Sequence, residues 1–146
     1  MKFLVTGGLG FIGSNFIKKI FNYFPECSVL NIDAGLYGSN EKNLDEIKNN
    51  KNYEFIKGNI TDFELMEKTI AKSDIVINFA AESFVDRSIA NTKPFLDSNV
   101  IGTYNILEIL KEKNKKLIHI STDEVFGSLQ TDSANELFRF NPSSPY

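Results

Sequence analysis

The run Thr6-Gly7-Gly8-Leu9-Gly10-Phe11-Ile12-Gly13 constrains this chain more than any other feature. It follows a short apolar run, Lys2–Thr6, rich enough to be a buried strand. After it, Phe16, Ile17, Ile20, Phe21 and Phe24 recur at helical intervals over Asn15–Phe24, until Pro25 stops them. Asp33 lies twenty residues beyond Gly13, just after a second apolar run, Ser28–Ile32. A glycine triad alone says little, but strand, triad, helix, strand and acid in this order describe a dinucleotide site. Gly7 is expected to make the tight turn, Gly10 to let the backbone approach a pyrophosphate, and Gly13 to let helix and strand pack closely. The helix N-terminus adds N–H donors and positive potential. Asp33 is expected to accept hydrogen bonds from the adenosine ribose hydroxyls and to repel a 2′-phosphate, which favours NAD over NADP.

The rest of the chain repeats the alternation. Lys42–Asn49 reads as a short helix and Tyr53–Lys57 as a third strand closed by Gly58. Thr61–Ala71 reads as a helix capped by Thr61, with Glu64 completing a capping box. Asp74–Phe79 is a continuous apolar strand, as expected where both faces of a parallel sheet are covered. Pro94–Lys113 reads as a long helix that tolerates Pro94 in its first turn, and Leu117–Ile120 as a fifth strand. The expected architecture is therefore α/β: a Rossmann-type, doubly wound parallel sheet with helices on both faces, built as one NAD-binding domain over residues 1–146. Residues 127–146 show no period and read as loop. A compact domain rarely ends on so long a loop, so the tail is expected to lead into further structure.

Composition narrows the classes. Among 146 residues, 42% are hydrophobic and thirteen are Phe, enough for one sizeable core. A net charge of −3 with both signs interspersed offers no basic surface for nucleic acid. No stretch approaches the ~18 apolar residues of a membrane span, and the N-terminal apolar run is too short for a signal peptide. A soluble, cytoplasmic protein is expected. With Cys27 and His119 the only residues of their kinds, no intramolecular disulfide and no cysteine or multi-histidine metal site can form. His119, inside a strand run, is expected to be structural.

The second informative stretch is Ile120-Ser121-Thr122-Asp123-Glu124-Val125-Phe126-Gly127, directly after the fifth strand. The carboxyl end of a parallel strand is where such sheets bind ligands. A hydroxyl and two adjacent carboxylates there suit a reaction that removes one proton while delivering another. A simple oxidoreductase would need only the hydroxyl.

Three further segments join this one: Asn78-Phe79-Ala80-Ala81-Glu82-Ser83-Phe84-Val85-Asp86-Arg87-Ser88-Ile89, Asn99-Val100-Ile101-Gly102-Thr103 and Pro142-Ser143-Ser144-Pro145-Tyr146. With the Gly-x-x-Gly-x-x-Gly spacing, they make the whole chain resemble the dTDP-glucose 4,6-dehydratases of the extended short-chain dehydrogenase/reductase superfamily. The chain would correspond to a little under half of a family member. The resemblance implies dehydration of dTDP-glucose to the 4-keto-6-deoxy sugar on bound NAD. Tyr146 would take the O4 proton, Thr122 would bond the same oxygen, Glu124 would take the C5 proton and Asp123 would protonate the leaving C6 hydroxyl. It further implies that Phe11 and Ile12 line the pyrophosphate turn and that Asn59 and Ile60 flank the adenine. Phe79, Ala80, Ala81, Glu82 and Ser83 would pass the nicotinamide half, Ser98 would approach the cofactor, and Ser83 the substrate. A homodimer through Pro94–Lys113 is implied as well.

The chain departs from the family pattern in places. Phe84 stands where the family usually has His, Asn59 where it has Asp, and Phe126 where it has Tyr. The superfamily's Tyr-x-x-x-Lys motif stops at Tyr146, and the C-terminal substrate domain is missing, so an inactive fragment or truncated reading frame is expected. Competing readings are another nucleotide-sugar enzyme (a UDP-sugar dehydratase, epimerase or decarboxylase) and a non-catalytic dinucleotide-binding module.

Overall fold

A computed structural model describes residues 1–130 and 133–146; Thr131 and Asp132, within the tail read as loop, lie outside the described residues. Five strands, β1 (Lys2–Thr6), β2 (Ser28–Asp33), β3 (Tyr53–Lys57), β4 (Ile75–Asn78) and β5 (Lys116–His119), form one sheet in the order β3-β2-β1-β4-β5. Every neighbouring pair is parallel, with Thr6 in register with both Ile32 and Asn78. The chain winds outward from β1 in one direction, returns, and winds outward in the other. This is the doubly wound Rossmann topology expected from the alternation.

Strand alternation divides the core in two. Phe3, Val5, Val29 and Ile77 face helix α1 (Phe11–Tyr23), which buries Ile17, Ile20 and Phe21 against them. Leu4, Leu30, Ile32 and Val76 face the other way, toward Met66 and Ile70 of α2 (Phe63–Ala71) and Ile106 and Ile109 of α5 (Thr103–Leu110). Each fully buried Leu, Ile or Met contributes roughly 1.5–3 kcal/mol, so these two layers carry the fold. β5 pairs on one side only, which leaves Ile118 and Ile120 half exposed.

Several elements differ from their sequence reading. Helix α1 starts at Phe11, four residues before the apolar period begins, because Ser14 already donates to Gly10 O (3.0 Å). Thr61 does not cap α2. Its N–H is held by Asn59 Oδ1 (3.0 Å), and the cap falls to Asp62, which accepts from Leu65 N (3.0 Å). Glu64 then pairs along the helix with Lys68 rather than reaching back. Only Glu41–Leu44 of the segment after β2 is helical, as one 3-10 turn capped by Asn40, since Leu44 alone is buried there. The long helix begins at Lys93 and is composite: α4 (Lys93–Phe95), a π-helical stretch Leu96–Gly102, then α5. Between β4 and this helix, α3 (Val85–Ala90) adds a short turn. Among the described residues, 127–146 contain no helix or strand, and no helix is long and apolar enough to cross a membrane.

Candidate functional site

β1 is the point where the winding reverses, and a cleft of about 390 Å³ opens there at the carboxyl ends of β1, β2 and β4. Its floor is the turn from β1 into α1. Gly7 sits at φ +71°, donates to Ile32 O (2.8 Å), and has no room for a Cβ, which would lie 2.5 Å from Ala80 N. A Cβ on Gly13 would meet Gly7 O at 2.4 Å, so the close approach is of helix to turn rather than helix to strand. Gly10 differs: beyond Gly7 O at 3.3 Å its side is open. Gly10 is also the N-cap of α1, with no side-chain cap and no acid in the first turn. Among the described residues, the first-turn amides and the helix dipole are thus left without an anionic partner, while Phe11 and Ile12 are exposed at the cleft.

The acid at the end of β2 has a second task. Asp33 is buried, and its Oδ2 accepts from Leu9 N (2.9 Å) while Oδ1 accepts from Gly35 N and Ser39 Oγ (both 2.8 Å). A carboxylate offers about four acceptor positions, so three are spent on holding the two loops and one remains for a ligand. Asn59 and Ile60 line the next wall. Asn105 of α5 holds the Ile60 and Thr61 carbonyls (3.2 and 3.0 Å), and Gly102 lets the helix close on Ile60.

The segment after β4 forms the opposite wall. Phe79 donates to Thr6 O (3.0 Å), and Ala80, Ala81, Glu82 and Ser83 follow along the cleft, with Ser98 across from them. The π-helical stretch aims Asn99 at this wall. At the carboxyl ends of β1, β4 and β5, the Thr6 hydroxyl donates to Asn78 Oδ1, and the Asn78 amide bonds His119 Nδ1 (3.0 Å), giving the lone histidine a structural partner. All fourteen residues expected at the cofactor line this one cleft.

The residues expected to move protons lie at its rim. Ile120, Ser121 and Tyr146 line the cleft, whereas Thr122, Asp123 and Glu124 sit just outside it. Thr122 caps a 3-10 turn, Asp123–Phe126, by accepting from Glu124 N (3.2 Å). That leaves the Thr122 hydroxyl proton to donate elsewhere. Asp123 is exposed and Glu124 partly buried. The tail folds back over the turn: Asn141 donates to Val125 O (2.9 Å), Phe126 packs on Phe138 and Phe140, and Tyr146 stands edge-on to Phe95.

Sequence reasoning assigned no role to Asn99, Asn105, Tyr37 or Arg87. The two asparagines carried a signal, since Asn inside a helix needs a reason. Tyr37 and Arg87 carried none.

Residues 4–146 match the family model described as GDP-mannose 4,6 dehydratase. The chain belongs to this family. It is 44% identical over 149 residues to a dTDP-glucose 4,6-dehydratase of Mycobacterium tuberculosis, covering all of this chain and 44% of that protein. The dTDP-glucose 4,6-dehydratase of Bacillus anthracis, solved in complex with NAD, superposes with a TM-score of 0.88 at 41% identity, over 100% of this chain and 45% of that one. The Streptomyces venezuelae dTDP-glucose 4,6-dehydratase DesIV, solved with NAD and TYD bound, gives 0.93 at 37% identity, over 100% and 47%. The chain thus spans less than half the length of these relatives.

Proposed function

We propose that residues 1–146 are the NAD-binding domain and proton-transfer centre of a dTDP-glucose 4,6-dehydratase, a hydro-lyase. The observation that carries the reading is the pair Asp123–Glu124 on a turn at the rim of a cleft fit for a dinucleotide. The fit rests on the cleft's own chemistry. Its floor excludes a Cβ at Gly7 and Gly13 but leaves the Gly10 side open, and it presents an uncapped helix N-terminus.

NAD, when bound, would supply the hydride acceptor for sugar C4 and the hydride donor for C6. Gly10, Phe11 and Ile12 would hold its pyrophosphate, Asp33 the adenosine ribose, and Asn59 and Ile60 the adenine. Because Asn59 Oδ1 is engaged with Thr61 N, the Asn59 amide would meet adenine as a donor. Phe79 to Ser83 and Ser98 would flank the nicotinamide half.

The chain's own groups divide the protons. Tyr146 takes the proton of the sugar O4. Thr122 donates its hydroxyl hydrogen to that oxygen, its own oxygen being engaged by Glu124 N–H. Glu124 removes the C5 proton, which the C4 ketone has made acidic, and Asp123 protonates the departing C6 hydroxyl, which leaves as water. Glu124, its proton exchanged with solvent, then returns a proton to C5 as C6 receives the hydride. Ser83 contacts the sugar. A homodimer is proposed through Lys93–Leu110, where Leu96, Val100, Tyr104 and Leu107 are all about half exposed, and a cytoplasmic location goes with this substrate.

The test is incubation of a full-length form of this chain, with the Tyr-x-x-x-Lys motif and substrate domain present, with NAD and dTDP-glucose, with product read by mass spectrometry and NMR. A 4-keto-6-deoxy nucleotide sugar is expected. Turnover of a UDP-sugar instead, or NAD binding with no sugar chemistry, would overturn it.

A further inference from the structure

The two long walls of the cleft touch each other. Leu36, Tyr37 and Gly38 line it from the loop after β2, and Glu82, Ser83 and Phe84 from the segment after β4. The Tyr37 ring stands edge-on to Phe84, with centroids 5.1 Å apart at 82°. Its face carries the Arg87 guanidinium, 4.2 Å from the ring centroid. Residues that line opposite walls and contact each other close the cleft at that point.

The two ends of this bridge are built differently. Arg87 is fixed by Glu82, whose carboxylate is nearly buried and 2.7 Å from Arg87 Nη1. The Glu82 peptide is itself held by Asn99. On the other side, Leu36 and Tyr37 lie between Gly35 and Gly38, at φ +68° and +87°, and both side chains are more than half exposed. Gly35 and Ser39 are held by Asp33 at the two ends of this loop, so the part that can move is the exposed Tyr37 ring itself. The contacts that cross are ring to ring and cation to ring, which are weak enough to break on each binding event.

We propose that Tyr37 is a strap over the dinucleotide site, held shut by Phe84 and Arg87 and opening for ligand exchange, and thereby setting the residence time of the bound dinucleotide. Tyr37 is a positioning residue in this role. Phe84, the departure from the family's usual His, supplies the apolar ring that meets it. The strap rests on the reading of the cleft as the NAD site.

The experiment is stopped-flow binding of NAD to the purified protein and to Tyr37→Ala, Tyr37→Phe and Phe84→Ala, with circular dichroism as the check on folding. Tyr37→Ala is expected to raise the dissociation rate about tenfold through loss of both ring contacts, while the association rate changes less than about twofold. Phe84→Ala, at an exposed ring, should shift the same rate in the same direction. Tyr37→Phe keeps a ring for Arg87 and Phe84 and should restore it. An unchanged dissociation rate in folded Tyr37→Ala or folded Phe84→Ala overturns the strap alone. Failure of the unsubstituted protein to bind NAD overturns the strap and the dinucleotide reading together.

Discussion

Asn99 holds the Glu82 peptide by both of its polar groups: its amide donates to Glu82 O and its carbonyl accepts from Glu82 N, each at 2.9 Å. One side chain on a π-helical stretch therefore fixes the backbone of the wall that carries Ala80 to Ser83. Replacing it with Leu leaves both peptide groups without that partner. Asn99→Leu should cost about 1–3 kcal/mol, read as a lower midpoint in urea, and should weaken NAD binding measured by calorimetry.

The three glycines of the β1–α1 turn should separate by phenotype. Gly7→Ala meets both a positive φ and a backbone atom at 2.5 Å, and Gly13→Ala meets Gly7 O at 2.4 Å. Both should lose about 2 kcal/mol or more of stability. Gly10→Ala meets only Gly7 O at 3.3 Å. It should fold normally and lose NAD affinity by at least about tenfold, because its methyl takes the space a pyrophosphate needs. Denaturant curves and calorimetry on the three variants check this.

Part of this was legible in sequence and part was not, for identifiable reasons. The bounds of β1 and β3 followed from apolar runs ending at glycine, and the cleft's lining from motifs that sit at strand ends. The start of α1 was hidden because Gly10 and Gly13, poor helix formers, are placed there by the crowded turn and not by propensity. The cap of α2 moved by one residue because Asn59 captured Thr61 N. The π-helical stretch breaks the 3.6-residue period that a sequence reading relies on. The Tyr37–Arg87 contact joins a loop to helix α3, fifty positions apart, and left no local trace.

Lys115 closes the end of α2 by donating to the carbonyls of Ile70, Ala71 and Ser73 at 2.8, 2.9 and 2.5 Å. A cation at a helix C-terminus complements the dipole and satisfies the last carbonyls. Lys115→Met keeps the aliphatic stem and loses these bonds, so stability should fall by about 1–2 kcal/mol. Thermal unfolding at low and high salt checks it, and most of the loss should persist in salt.

Burial pushes the Tyr53 phenol above its ordinary value near 10, with the Asp33 and Glu41 charges adding to the shift against a lowering hydrogen bond from Asn31. A raised folded-state pKa means that stability is full below pH 10 and falls as pH rises through the folded value. Tyr53→Phe should be less stable at neutral pH by about 1 kcal/mol, for the lost Asn31 bond. Its stability should then fall less steeply above pH 10 than that of the unsubstituted protein. Urea melts across this range measure both.

The most direct measurement is solvent deuterium incorporation at sugar C5 during turnover of dTDP-glucose in D2O, with a full-length form of this chain that carries the Tyr-x-x-x-Lys motif and substrate domain, unsubstituted and as Glu124→Gln. The account predicts a deuterated 4-keto-6-deoxy product from the first. From Glu124→Gln it predicts dehydration slowed by about 10²–10⁴ with NAD affinity unchanged. Dehydration and C5 exchange at the original rate in Glu124→Gln would contradict it.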